Sequence, residues 1–476
     1  MKRIILTALI IIAAVSFFAF NSADKKQTDP VKEYVVDTLA KDLIVPWAFT
    51  FIDSTTLMFT ERSGQVRLLR NDKLVDKPVL IIDTLNITKK MGLLGLCKHP
   101  DFNSNHFIYL AYDYSGNENA YLRVMRFQFR NDTLLNGLMI VDSIYANQNH
   151  TGCRLKFGPD KKLYITTGDA DRPMLAQSLS FLNGKILRVN DDGSIPADNP
   201  FVHNDTAKKQ IWSYGHRNSQ GIDFQPGTND MYNSEHGPTG GDEINFIEKG
   251  KNYGWPVIHH DDTKEGMVSP LFQYTPSIGP SEILFYNADA FPQWKGKLLL
   301  ASLRGEAITE ITLKDKKIVS QRYILHNDYG RVRALAVGPH GYLYFSTSLN
   351  DPPEGNGKPG YDMILRLRPT GMIATNDTIA LSELTRKIAS AKNVSELYYE
   401  LCASCHGDKM QGAEKAKSML DTVWLNGGTK PDIIRSIDDG MIDKGMPAWQ
   451  GAITDKQTDE LADYILKANR KARSLK

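Results

Sequence analysis

The sequence predicts an all-β propeller of six blades over residues 32–370, followed by a small all-α domain over residues 391–472. Two observations predict it: a strand unit that recurs six times, and an abrupt loss of strand alternation after "ILRLRPTG". The recurring units are "FIDSTTLMFTERSGQVRLLR" from Phe51, "HPDFNSNHFIYLAYDY" from His99 and "FGPDKKLYITTGD" from Phe157. They continue with "FQPGTNDMYNSEHG" from Phe224, "FPQWKGKLLLASLRGEAITEITL" from Phe291 and "VGPHGYLYFSTS" from Val337. Each joins a turn carrying Pro, Asp or Gly to a strand rich in aromatic and β-branched residues. Imperfect repeats at intervals of about 45–70 residues point to a propeller rather than a sandwich.

Residues 371–390 read as a linker. Beyond it, "TDKQTDELADYILKANRKA" has an N-cap candidate in Thr454 and apolar Leu461, Tyr464 and Ile465 at helical spacing. The stretch "ELYYELCASCHGDKMQG" carries Cys402, Cys405 and His406 as a covalent c-type haem attachment motif. Two thiols take the vinyl groups and the adjacent histidine is the proximal iron ligand. A methionine thioether opposite it raises the potential and suits electron transfer. Met446 in "GMPAW" is assigned that place, because the chain there resembles the methionine loop of class I cytochromes c. Met410, Met419 and Met441 read as packing residues, Met410 being too close to His406 to cross to the opposite haem face.

Lys plus Arg number 57 and Asp plus Glu 55, so the chain lacks the basic excess of a nucleic-acid binder. Lys2 and Arg3 followed by an apolar run from Ile4 to Phe20 read as an export signal over residues 1–23, either cleaved or kept as a membrane anchor. Export agrees with a c-type haem. It also permits Cys97 and Cys153 to bridge, the alternative being two small buried hydrophobes.

Polar residues and glycines are dense in a few propeller segments. "QNHTGCRLKFGPD" puts His150 before a strand, and "IWSYGHRNSQGIDF" puts Arg217 and Asn218 between two apolar runs. "SEHGPTGGDEINFIEKGKNYGWP" is a long loop with Asp242 and Glu243. "NDYGRVRALAVGP" places Arg331 and Arg333 at i, i+2, on one face of a strand. Arginines aimed at a propeller channel bind an anion through paired hydrogen bonds, and a nearby histidine is a natural base at neutral pH.

These segments, with "GLLGLCKHPDF", "EHGPTGGDEIN", "NYGWP" and "TPSIGPS", come in the order found in the soluble glucose/sorbosone dehydrogenases, which the region resembles. The resemblance implies a propeller holding pyrroloquinoline quinone (PQQ) over its channel and oxidising aldoses to lactones. It makes His150 the general base, Asp169 the residue holding its tautomer, and Arg217 and Asn218 contacts to the quinone. It sets Arg331 and Arg333 on the cofactor carboxylates, and Ser277 and Arg304 where the family has a Thr and a Lys on the cofactor. Carbonyls of Gly237 and Pro238 would hold a calcium ion, and Glu243 and Tyr253 match a second, structural calcium site. Departures from the family are Lys90 for a common Gln or Glu, Asn149 for an Asp and Cys153 for a Gly. The expected partners are an aldose, the chain's own haem and an external electron acceptor. The alternatives are a PQQ dehydrogenase for another alcohol, and a carbohydrate- or partner-binding propeller that carries a cytochrome.

Overall fold

The computed structural model describes residues 34–86, 90–349, 351, 362–370, 391–412, 418–421, 424, 427–440, 446, 449 and 453–474. The signal or anchor segment, the linker and Met441 lie outside them. Among the described residues no helix is long and apolar enough to cross a membrane.

The strands form six antiparallel sheets, five of four strands and one of five, as the repeats predict. Each quoted repeat falls on the hairpin between the first and second strands of a blade. The first strands, among them Leu93–Lys98 in blade 2, Gly152–Phe157 in blade 3 and Ser219–Phe224 in blade 4, pack beside one another around the centre. Second strands such as Leu163–Thr167 and Leu298–Ser302 are buried along their whole length. A blade between two others is covered on both faces, so its middle strands are buried throughout rather than alternating in and out.

The core lies in the seams. One apolar cluster fills each junction, for example Met58 with Leu96 between blades 1 and 2, and Tyr286 with Leu335 between blades 5 and 6. Removing such a side chain from water contributes about 1.5–3 kcal/mol. The ring closes because Tyr34–Leu43 pairs antiparallel with Asp362–Pro369, giving the last blade its outer strand from the start of the propeller. Arg366, fully buried, clamps this closure through Asp37 at 2.9 Å and Asp72 at 2.7 Å.

Cys97 and Cys153 are both free thiols, buried in the seam between blades 2 and 3. Burial pushes both thiols well above their usual range. Of the two readings open in the sequence, packing is the one the structure adopts.

The C-terminal domain is helical. Helix α1 (Val394–Leu401) is capped by Asn393, and α2 (Ala403–His406) carries the haem motif. Helices α3 (Lys430–Asp439) and α4 (Asp455–Arg473) start at capping boxes built on Thr429 and Thr454. Leu397, Leu401, Ile433, Leu461 and Ile465 form its core. Met410 is buried there and Met419 packs against it, which is the packing role expected of them.

Candidate active site

The residues singled out in the propeller come together because most of them lie within a few positions of the start of an innermost strand. His150 precedes Gly152, Arg217 and Asn218 precede Ser219, Ser277 precedes Pro280, and Arg331 precedes Val332. The innermost strands begin at one end of the channel, and there a cavity of about 200 Å³ opens. Lys90, His150, Arg217, Asn218, Gly237, Pro238, Ser277, Arg304, Arg331 and Arg333 all line it.

His150 Nδ1 donates to Asp169 Oδ1 at 2.8 Å, which leaves Nε2 as the nitrogen able to take a proton. The His150 side chain is 19% exposed and that of Asp169 0%, so base and orienting carboxylate differ sharply in access to water. Trp255 Nε1 and the Asp171 amide also donate to Asp169, at 2.8 and 2.9 Å. Asp171 Oδ1 lies 3.2 Å from the same imidazole nitrogen and is the exposed member of the cluster. His150 has a positive φ of 53°, held by the Ala170 amide donating to its carbonyl at 3.0 Å.

Gly168 makes this turn fit. A methyl group there would overlap the His150 carbonyl oxygen. Gly168→Ala is therefore expected to lower stability by about 1–3 kcal/mol, the usual cost of overpacking, together with a fall in kcat. Urea denaturation checks it, and an unchanged midpoint would mean that the turn relaxes freely.

Arg217 is mounted on a buried polar group that sequence reasoning missed. Glu235 accepts from the Arg217 amide, from His216 Nδ1 at 2.8 Å and from Ser219 Oγ at 3.1 Å. Burial alone would raise the Glu235 carboxyl, but His216 and these donors hold it below its usual value. The Arg217 guanidinium sits 5.2 Å over the Trp255 ring and donates to the His236 carbonyl at 3.1 Å, while its Nε is buried without a partner. His236, also on the cavity wall, donates from Nε2 to the Pro280 carbonyl at 2.8 Å, and burial pushes its pKa down to about 4. The ring is therefore neutral, with a bare Nδ1.

Arg333 has more partners than the i, i+2 pattern implied. It pairs with Asp351 and reaches Gln220 Oε1 at 3.2 Å and Ser348 Oγ at 3.4 Å. Burial, then the repulsion of Arg331, Arg62 and Arg154, depresses its pKa strongly. Arginines outnumber carboxylates on this floor, and the orphaned Nε of Arg217 adds an unmet donor. That donor set fits a flat ligand bearing several carboxylates, which is the chemistry of PQQ.

Asp242 shapes the other wall. Its Oδ2 accepts from Ser277 Oγ at 2.7 Å and from the amides of Ile278 and Gly279 at 2.8 Å, and its Oδ1 accepts from the Gly237 amide at 2.9 Å. It fixes Ser277 and the Gly237–Pro238 turn together.

Glu243 and Tyr253 are not on the cavity wall. Burial and the nearby Glu235 push the Glu243 carboxyl up to about 8, a crowding that a hard divalent cation would relieve. The Tyr253 hydroxyl is already engaged, donating to the Phe246 carbonyl at 2.6 Å, and its ring stacks on His216.

In the C-terminal domain Cys402, Cys405 and His406 share one turn. Cys402 is half-buried and Cys405 exposed. His406 Nδ1 is buried with no partner, and burial lowers the pKa of the ring. A neutral imidazole next to the second of two thiols fits a c-type haem. Met446 is half-buried in the chain between α3 and α4.

A six-bladed propeller with a histidine–aspartate pair facing an arginine-rich cavity, joined to a CxxCH domain, defines a quinone-linked oxidoreductase with its own cytochrome. The chain belongs to the glucose/sorbosone dehydrogenase family, whose model matches residues 43–356. A model for subunit III of the cbb3-type cytochrome c oxidase matches residues 389–465. The chain is 33% identical over 332 residues to aldose sugar dehydrogenase YliI of Escherichia coli, covering 66% of this chain and 89% of that one. The PQQ-bound aldose sugar dehydrogenase of Streptomyces coelicolor superposes with a TM-score of 0.62 at 29% identity, covering 71% of this chain and 99% of that one. The tail is 38% identical over 87 residues to the cbb3-type cytochrome c oxidase subunit CcoP of an Azospirillum, 16% of this chain and 29% of that one.

Proposed function

We propose that this chain is an exported PQQ-dependent dehydrogenase that oxidises the anomeric carbon of aldoses to lactones and passes the electrons through its own haem to an external acceptor. The observation that carries this reading is the His150–Asp169 pair opening on a cavity lined by Arg217, Arg304, Arg331 and Arg333. When bound, PQQ supplies a two-electron hydride acceptor and the c-type haem a one-electron relay.

His150 Nε2 takes the proton of the anomeric hydroxyl as the C1 hydrogen leaves with its electron pair. Asp169 keeps the Nδ1 proton in place and stabilises the imidazolium that forms. Arg217, half-desolvated and anchored by Glu235, supplies positive charge where negative charge develops. Asn218, Ser277, Arg304, Arg331 and Arg333 would hold the quinone. Carbonyls of Gly237 and Pro238 would hold one calcium ion, and Glu243 and the Tyr253 main chain a second. Cys402 and Cys405 would bind the haem covalently, with His406 and Met446 as its iron ligands.

The test is optical. The oxidised protein is loaded with PQQ and calcium and mixed with aldoses while the haem bands are followed. Haem reduction that requires quinone and sugar together is the expected result. Failure to take up PQQ stoichiometrically would overturn the reading.

A further inference from the structure

One buried cation has no place in the mechanism above. Lys185 opens the third strand of blade 3 (Lys185–Val189), is 0% exposed and stands off the cavity wall. A lysine at that depth is ordinarily paired with a carboxylate, but among the described residues Lys185 has no such partner. Its Nζ donates instead to three main-chain carbonyls, those of Leu175 and Ala176 at 2.9 Å and that of Asn183 at 2.7 Å. Burial by itself pulls the pKa of this amine down to about 7. Three acceptors at these distances call for three N–H bonds, which the ammonium has and the neutral amine lacks.

The partners of this ammonium lead to the two segments that carry the chemistry. Leu175 and Ala176 end the turn Pro173–Ala176, which follows Asp169 closely in the chain. The Ala176 carbonyl also accepts from the Gly215 amide at 3.0 Å, two residues before Arg217. Asn183 donates from Nδ2 to the Gly168 carbonyl at 3.2 Å, and the Gly184 amide donates to the same carbonyl at 3.0 Å. The Gly184 carbonyl in turn accepts from the His216 amide at 3.1 Å. The Lys185 amide donates to Thr167 Oγ1 at 3.0 Å. The two segments meet where the Asp169 amide donates to the Arg217 carbonyl at 2.8 Å. They touch without slack, since a methyl group on Gly184 would overlap the His216 carbonyl oxygen and the Ala176 side chain.

We propose that Lys185 is a positioning residue of this enzyme. By drawing the Leu175, Ala176 and Asn183 carbonyls together, its ammonium holds the turn of Asp169 in register with the segment of Arg217. This rests on the dehydrogenase reading above. Asp169 orients the base and Arg217 supplies charge, so an error in their separation is felt in the chemical step rather than in sugar binding. An apolar side chain of similar length fills the space but leaves three buried carbonyls without their donors. The chain relieves that state by letting the carbonyls part, and the two segments part with them.

The experiment uses the full chain, with Lys185→Met as the first variant and Lys185→Gln, which keeps two N–H donors, as the second. In apoprotein whose histidines carry nitrogen-15, the His150 Nδ1–H signal is assigned by its absence from His150→Ala. That signal is expected to shift or to vanish by exchange with water in Lys185→Met. Loaded with PQQ and calcium, the same variant is expected to reduce the bound quinone about 10–100-fold more slowly at saturating sugar, with KM within about threefold of the parent. Lys185→Gln is expected to fall between the two, and it decides the matter if thermal melting shows that Lys185→Met does not fold. A folded variant that melts lower but keeps the His150 signal and the rate overturns the proposal and leaves the dehydrogenase reading standing. A parent whose bound quinone no sugar reduces removes the dehydrogenase reading, and the histidine signal still decides whether Lys185 positions the pair.

Discussion

His150→Ala is expected to lower kcat for sugar oxidation by about 10²–10⁴-fold, the range that a positioned general base contributes. The loss follows from geometry: Nδ1 is held by Asp169 at 2.8 Å, so Nε2 is the ring's basic atom toward the cavity. Asp169→Asn should fall in the same range for a different reason. Asp169 Oδ1 and Oδ2 accept from His150, Trp255 and the Asp171 amide, all of them donors in the present tautomer. An asparagine amide would set its own N–H against one of these donors. The imidazole would then flip tautomer, protonating Nε2 and removing the base. Stopped-flow reduction of the bound quinone at saturating sugar measures the step directly, and thermal melting reports whether the fold survives. Turnover within about tenfold of the parent in either variant would remove His150 from the base role.

The double change Cys402→Ser, Cys405→Ser is expected to lower the ratio of cytochrome-linked to dye-linked turnover by about 10²–10⁴-fold, the advantage conferred by tethering a partner. Without attachment, burial and the neighbouring Cys405 push the Cys402 thiol up to about 12, so it is an inert thiol at neutral pH. In the proposed function, covalent attachment to haem is the role these cysteines would have. Acid–acetone extraction of the parent should leave haem on the chain and remove it from the variant. Haem that extracts from the parent, or an unchanged turnover ratio, would break the link between CxxCH and the relay.

Much of this molecule is legible along the chain because its signals are local. A propeller blade repeats its turn-and-strand chemistry, so the hairpins beginning near Phe51, His99 and Phe157 declare the architecture one by one. Thr454 caps its helix through a contact three residues away, with Gln457, and needs no other part of the fold. Cys402, Cys405 and His406 form their site within one turn, where spacing alone sets geometry. His150, Arg217 and Arg331 are legible too, since a polar residue just before an apolar strand is visible as such.

What supports those residues was hidden. Glu235, His216 and Trp255 lie in separate segments with no periodicity, and only the folded ring brings Glu235 beneath Arg217 and Trp255 against Asp169. The choice between a bridge and packing for Cys97 and Cys153 likewise belonged to the seam between two blades, because burial and orientation there depend on both. Glu243 and Tyr253, which the family resemblance assigns to a second, structural calcium site, lie off the cavity wall, and that separation from Gly237 and Pro238 is set by the folded loop. By itself the sequence determined six blades, a haem-binding tail and the set of polar residues at the strand starts. Only the tertiary structure decided which of them share the cavity and which charges are already paired. Sequence separation carries no information about those distances: ring closure sets them, joining residues hundreds of positions apart around one axis.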